Sequence, residues 1–135
     1  MITIKAVEEK ELATQFLIQN GIHADISDHI VMCAMDKDAF LAVGSLSMIE
    51  YKVHLNLAVA ANQWKDNAGF MLGLMKSLLN LADLRGIQTV YGTNPDLFDF
   101  YRLLRFQEET TDGGKKRYRL DLEGYFTVDS CTHTE

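Results

Sequence analysis

The sequence predicts an α/β domain on one mixed sheet of about seven strands, with helices on both faces. Three observations carry this. Tyr51, Val53, Leu55, Leu57 and Val59 alternate with Lys52, His54 and Asn56, the period-two pattern of a half-buried strand. Phe70 to Leu84 places Met71, Leu74, Met75, Leu78, Ala82 and Leu84 on a broad helical face, and Arg85-Gly86 closes it. Asn94-Pro95, with the only proline of the chain, opens a second helix directly after a short apolar strand. Hairpin-linked strands followed by a strand-helix-strand crossover make a mixed sheet.

The elements follow in order. Ile2 to Val7 reads as a first strand, and Glu8 to Gln19 as a helix with Leu12, Phe16 and Leu17 on one face. Glu8, Glu9 and Glu11 occupy its first turn, where the helix dipole favours acids, and Asn20-Gly21 stops it. Ile22 to Asp28 is a short connector. His29 to Met35 and Phe40 to Met48 form a hairpin about the turn Asp36-Lys37-Asp38, and Glu50 to Ala60 is the next strand. Asn62 to Ala68 is polar and turn-like, and its Asp66-Asn67 pair supplies N-caps for the long helix. Ile87 to Tyr91 is a strand, and Asn94 begins the second helix, which runs to Phe106. Phe106 to Thr111 and Lys116 to Leu122 are strands around Asp112-Gly113-Gly114. One domain therefore spans 1–122, and 123–135 is a tail in which Tyr125-Phe126 is suited to packing.

The totals exclude several classes. A chain of 135 residues with 47% apolar and 24% charged residues is an ordinary single domain. It needs neither disulfides nor a metal to fold. Cys33 lies in an apolar run and Cys131 in the tail, and neither has metal-ligand spacing to a second Cys or His. His23, His29 and His133 show none either, so no metal is expected. A net charge of −6 argues against nucleic acid, and Lys115-Lys116-Arg117 reads as a solvated hairpin. No apolar run spans a membrane, and no signal peptide is evident at Met1-Ile2-Thr3-Ile4-Lys5, so a cytoplasmic protein is expected. A homodimer is the default assembly.

Leu74 to Ile87 resembles the long helix, and its exit into a strand, of the GNAT superfamily of acyl-CoA-dependent N-acyltransferases. Asn94-Pro95-Asp96-Leu97-Phe98-Asp99-Phe100-Tyr101-Arg102-Leu103-Leu104-Arg105-Phe106 is similar to its Asn-x-x-Ala-x-x-Phe-Tyr-x-x-x-Gly-Phe segment, and Val43-Gly44 matches a common strand pair. The resemblance covers Ile2 to about Leu122. It implies transfer of an acyl group, expected to be acetyl from acetyl-CoA, to a primary amine by direct attack. The competing expectation is a non-catalytic module of the same fold that binds another ligand or dimerises.

The resemblance also implies a binding site. The family holds the pyrophosphate of coenzyme A on helix N-terminal N–H groups, through an Arg/Gln-x-x-Gly-x-Gly/Ala loop. That loop falls here on Asp66-Asn67-Ala68-Gly69-Phe70-Met71. Gly69 keeps the middle glycine, whereas Asp66 replaces the basic or amide position and Met71 the last small one. An aspartate beside a pyrophosphate is electrostatically unfavourable. Asn67, Ala68, Gly69, Phe70 and Met71 are thus the implied cofactor contacts, with Val59 and Ala61 on the strand before them. Asn94 either contacts the pantetheine or acyl group or simply caps its helix.

Thioester aminolysis needs an amine base, an oxyanion donor and a proton for the leaving thiolate. Tyr101 aligns with the family's acid, and the alternative is a tyrosine packed on the sheet. Glu50 and His54 are the base candidates, each with a plain surface role as its alternative. Asn56 shares the side of His54, two residues on. The oxyanion donor implied by the resemblance is a backbone N–H near Val59.

Overall fold

A computed structural model describes residues 1–126; Cys131 and His133 lie outside the described residues. The strands are β1 (Ile2–Val7), β2 (Ile30–Asp36), β3 (Ala39–Ile49), β4 (Lys52–Ala60), β5 (Thr89–Gly92), β6 (Gln107–Thr110) and β7 (Lys116–Asp121). The helices are α1 (Glu11–Gln19), α2 (Ala68–Leu84) and α3 (Phe98–Leu103), with a 3-10 turn at Pro95–Leu97 before α3. They form one seven-stranded sheet in the order β1-β2-β3-β4-β5-β7-β6. Every pairing is antiparallel except β4 with β5, so the predicted mixed sheet is the observed one.

The two faces are covered by different helices. α1 lays Ala13, Phe16 and Leu17 against Val31, Cys33 and Val43. α2 buries Met71, Leu74, Met75, Leu78, Leu79 and Ala82 against Leu46, Leu55, Ala60 and Val90 on the other face. That methionine-containing face is core, and Cys33 is a fully buried core residue. Gly44 is needed here, because a Cβ would lie 2.8 Å from Leu78 Cδ1.

Several predicted boundaries move. α1 begins at Glu11 rather than Glu8, with Lys10 at its N-cap. Lys10 is tied instead to the connector, where its Nζ donates to the Ser27 carbonyl at 2.8 Å. The expected single helix from Asn94 to Phe106 is a 3-10 turn plus six residues of α-helix. It stops because Arg105, where the resembling family has glycine, adopts φ 71° and turns the chain. A side chain at that φ costs about 1 kcal/mol relative to glycine. Tyr125 packs against the large core and donates its hydroxyl to the Leu104 carbonyl at 3.0 Å, so the packed unit reaches Phe126.

One irregularity shapes the rest. β3 and β4 pair Ser45 with Leu57 but Ser47 with His54, so Leu55 and Asn56 together face one residue of β3. This β-bulge bends β4. The parallel ladder between β4 and β5 has two rungs, Val53–Val90 and His54–Tyr91, and ends at the bulge. Beyond it β5 ends at Gly92 while β4 runs on to Ala60, which leaves a wedge beside the far half of β4.

Candidate active site

The wedge is an opening between two parallel strands, lined by unpaired backbone groups on the β4 side. Ala61 N–H donates to the Leu41 carbonyl of β3 at 2.9 Å. Antiparallel pairing alternates along a strand. Val59, opposite Val43, therefore also turns its N–H toward β3, while Ala58 and Ala60 turn theirs toward the wedge. The donors on this side that lie near Val59 are therefore those of Ala58 and Ala60, on either side of it. The alternation depends on the bulge, which no residue pattern reveals.

Tyr101 stands at the vertex of the wedge. It is fully buried, and its ring is held among Phe98, Phe106 and Tyr118. The bulge frees the Leu55 carbonyl, and Tyr101 Oη donates to it at 2.6 Å, with Asn56 Oδ1 at 3.2 Å. Burial pushes the phenol well above its ordinary range, and the Asn94 backbone N–H offsets part of that. The hydroxyl is thus a neutral donor at physiological pH, suited to hydrogen-bonding a leaving sulfur.

His54 lies on the opposite face, one residue from the bulge. It is buried, with its ring centroid 5.7 Å from that of Tyr91. Its Nδ1 lies 3.1 Å from the Lys52 carbonyl, an acceptor that requires the proton on Nδ1. Nε2 has no partner among the described residues, and no fully buried side-chain nitrogen or oxygen lacks one. Nε2 therefore reaches the surface with its lone pair free. Burial lowers the His54 pKa first; the Lys52 carbonyl raises it, and Arg117 and Lys52 lower it further. Arg117 stacks 4.5 Å from the Tyr91 centroid and is ion-paired with Glu109. These are the features of an imidazole kept neutral to accept a proton.

The charge of Glu50 reaches His54 and raises its pKa. Glu50 forms the exposed two-residue turn between β3 and β4 with Tyr51, at φ 51° and 64°. His29, weighed from the sequence only as a metal ligand, has its Nδ1 2.9 Å from Oγ of the buried Ser45. The only signal in the chain was a histidine at the start of a strand.

Asn56, Thr93 and Asn94 close the base of the wedge. Thr93 N–H donates to Asn56 Oδ1 and Asn56 Nδ2 donates to Thr93 Oγ1, both at 2.8 Å. Asn94 does two things at once. Its Oδ1 caps the 3-10 turn through Asp96 N–H at 3.0 Å, and its Nδ2 donates to the Asn56 carbonyl at 2.9 Å.

The α2 N-terminus lies beyond the far end of β4. Asn67 is the N-cap, accepting from Phe70 N–H at 3.0 Å on Oδ1, and its carbonyl takes Met71 N–H at 3.1 Å. Of the expected cofactor contacts, Phe70 and Met71 thus have their N–H groups engaged within the chain. Met71 is buried in the core, so its side chain does not obstruct this end. Ala68 and Gly69 keep N–H groups with no partner among the described residues. A Cβ on Gly69 would meet nothing nearer than Asn67 Oδ1 at 3.6 Å, so packing does not demand the glycine, and it leaves the backbone bare to an incoming group. Asp66 is exposed beside these donors. Among the described residues no cluster of metal-ligating side chains occurs, and no helix is long and apolar enough to cross a membrane.

No protein-family model matches the sequence, and a search of curated proteins returns no match. Solved structures do match. The ribosomal-protein-S18-alanine N-acetyltransferase from Escherichia coli aligns with TM-score 0.66 at 15% identity, over 90% of this chain and 94% of that one. An N-acetyltransferase from Staphylococcus aureus Mu50 aligns with TM-score 0.70 at 15% identity, over 91% and 99%. The PaiA N-acetyltransferase from Thermoplasma acidophilum, solved with coenzyme A, aligns with TM-score 0.66 at 14% identity, over 90% and 99%. The chain has the GNAT acetyltransferase fold that its residues resembled.

Proposed function

We propose that this protein transfers an acyl group, acetyl by preference, from acyl-CoA to a primary amine by direct attack. The observation that carries the reading is the wedge between β4 and β5, with the Tyr101 hydroxyl at its vertex on the carbonyl that the bulge releases. One structural neighbour holds coenzyme A and another is named for an alanine acceptor, which supports this cosubstrate and an amine acceptor.

The residues divide the chemistry by face. His54 Nε2 takes the proton of the attacking amine. The amine lone pair forms the C–N bond, and N–H groups of Ala58 or Ala60 stabilise the developing oxyanion. The C–S bond then breaks, and the Tyr101 hydroxyl turns its one proton from the Leu55 carbonyl to the departing sulfur. Ala68 and Gly69 N–H groups receive the pyrophosphate. The reading places the protein in the cytoplasm, as a homodimer by default.

A second reading is favoured by the Asn67 cap and by Asp66: a non-catalytic module of the same fold. Calorimetric titration with acetyl-CoA separates the two. Transfer requires saturable binding, and a flat titration at millimolar acetyl-CoA leaves the non-catalytic module. Given binding, Tyr101→Phe should lower turnover on a panel of primary amines about a hundredfold and change affinity by less than about threefold. Unchanged turnover would remove Tyr101 from the reaction.

A further inference from the structure

We infer that the Asn56–Thr93 pair restricts this site to short acyl groups; the inference rests on the acyl-CoA reading above. The backbone ladder between β4 and β5 ends at His54–Tyr91. Immediately past it, the Asn56 side chain makes a rung of its own. Its amide accepts from Thr93 N–H and donates to Thr93 Oγ1, both at 2.8 Å, as a backbone amide of a neighbouring strand would. Asn94 Nδ2 adds a third crossing to the Asn56 carbonyl at 2.9 Å.

The Tyr101 hydroxyl lies at this rung, 3.2 Å from Asn56 Oδ1. A thioester sulfur that reaches the hydroxyl therefore brings its acyl group against the rung. On the far side, buried His54 packs on Tyr91 and holds the end of the ladder in place. Each carbon beyond an acetyl group must displace the rung, and that breaks both Asn56–Thr93 hydrogen bonds at partly buried groups. A partly buried hydrogen bond keeps a modest net value, so losing both weakens binding of the longer chain. Asn56 is thus a specificity-determining residue, built from a side chain that replaces a missing ladder bond.

The test is calorimetric titration of the full chain with acetyl-CoA, butyryl-CoA and hexanoyl-CoA, repeated with Asn56→Ala. The wild-type protein should bind hexanoyl-CoA at least about tenfold more weakly than acetyl-CoA, and Asn56→Ala should narrow the gap to within about threefold. Equal affinities in the wild-type protein overturn the inference while leaving acyl-CoA binding intact. So does a gap that persists in Asn56→Ala. Should Asn56→Ala fail to fold, Asn56→Ser serves in its place, and the wild-type series still decides. If the wild-type protein binds none of the three, the acyl-transfer reading falls and the inference falls with it.

Discussion

Charging His54 works against this fold. Its imidazole is buried and near Arg117, so its pKa in the folded chain lies below the ordinary value, mainly through desolvation. His29 is shifted in the same direction by burial and by Lys10. In the unfolded chain both titrate near ~6.5. Above that pH both are neutral in either state and contribute no pH dependence. As pH falls below it, the unfolded chain binds protons that the folded chain refuses, so stability declines until the folded pKa values are passed. Denaturant unfolding at about pH 7.5 and about pH 5 should therefore show lower stability at the acid end, and His54→Gln should shrink the difference. An undiminished difference would mean that His54 is not held neutral. At this scale the sequence was partly legible. Tyr101 was singled out by its family-like position and His54 by its strand, whereas the expected shared side of Asn56 and His54 fails, because the bulge between them turns Asn56 to Tyr101. Their partners were not found, because the Leu55 carbonyl becomes available only through the bulge.

The start of α2 shows what an element can reveal and withhold. Asp66-Asn67 read correctly as cap chemistry, and Asn67 is the cap observed. The pattern did not show that the cap uses the Phe70 N–H that an anion would otherwise take. The cap therefore takes one donor of the helix end and leaves those of Ala68 and Gly69, with Asp66 adding a charge nearby that repels an anion. Two substitutions separate these effects. Asn67→Ala should cost about 1 kcal/mol of stability in denaturant unfolding, the ordinary loss of an N-cap. Asp66→Arg should tighten acetyl-CoA binding about fivefold by calorimetry, since it exchanges repulsion of the pyrophosphate for attraction. Unaltered affinity in Asp66→Arg would place the pyrophosphate elsewhere. The element after β5 was misjudged in length for a related reason: Pro95 marks a helix start plainly, but Arg105 carries no glycine to mark the stop.

Across the whole molecule, Tyr101 joins what the helix and strand patterns treat as separate. Its ring crosses β5 at Gly92, where a Cβ would lie 2.2 Å from the tyrosine Cζ. Its hydroxyl reaches β4, and its neighbours come from α3 and from Tyr118 of β7. Gly92 cannot retreat, because it pairs with Tyr118 in the antiparallel ladder. Gly92→Ala must therefore expel the Tyr101 ring and break the bond to Leu55. The cost should be about 3 kcal/mol in denaturant unfolding, from overpacking and a lost buried hydrogen bond together. The same substitution should abolish acyl transfer, because the wedge loses its donor. A double-mutant cycle tests the cause. In a Tyr101→Ala background there is no ring to meet, so Gly92→Ala should cost less than about 1 kcal/mol. Equal costs in the two backgrounds would show that Gly92 serves the strand alone, and that sheet and helix are not coupled through this contact.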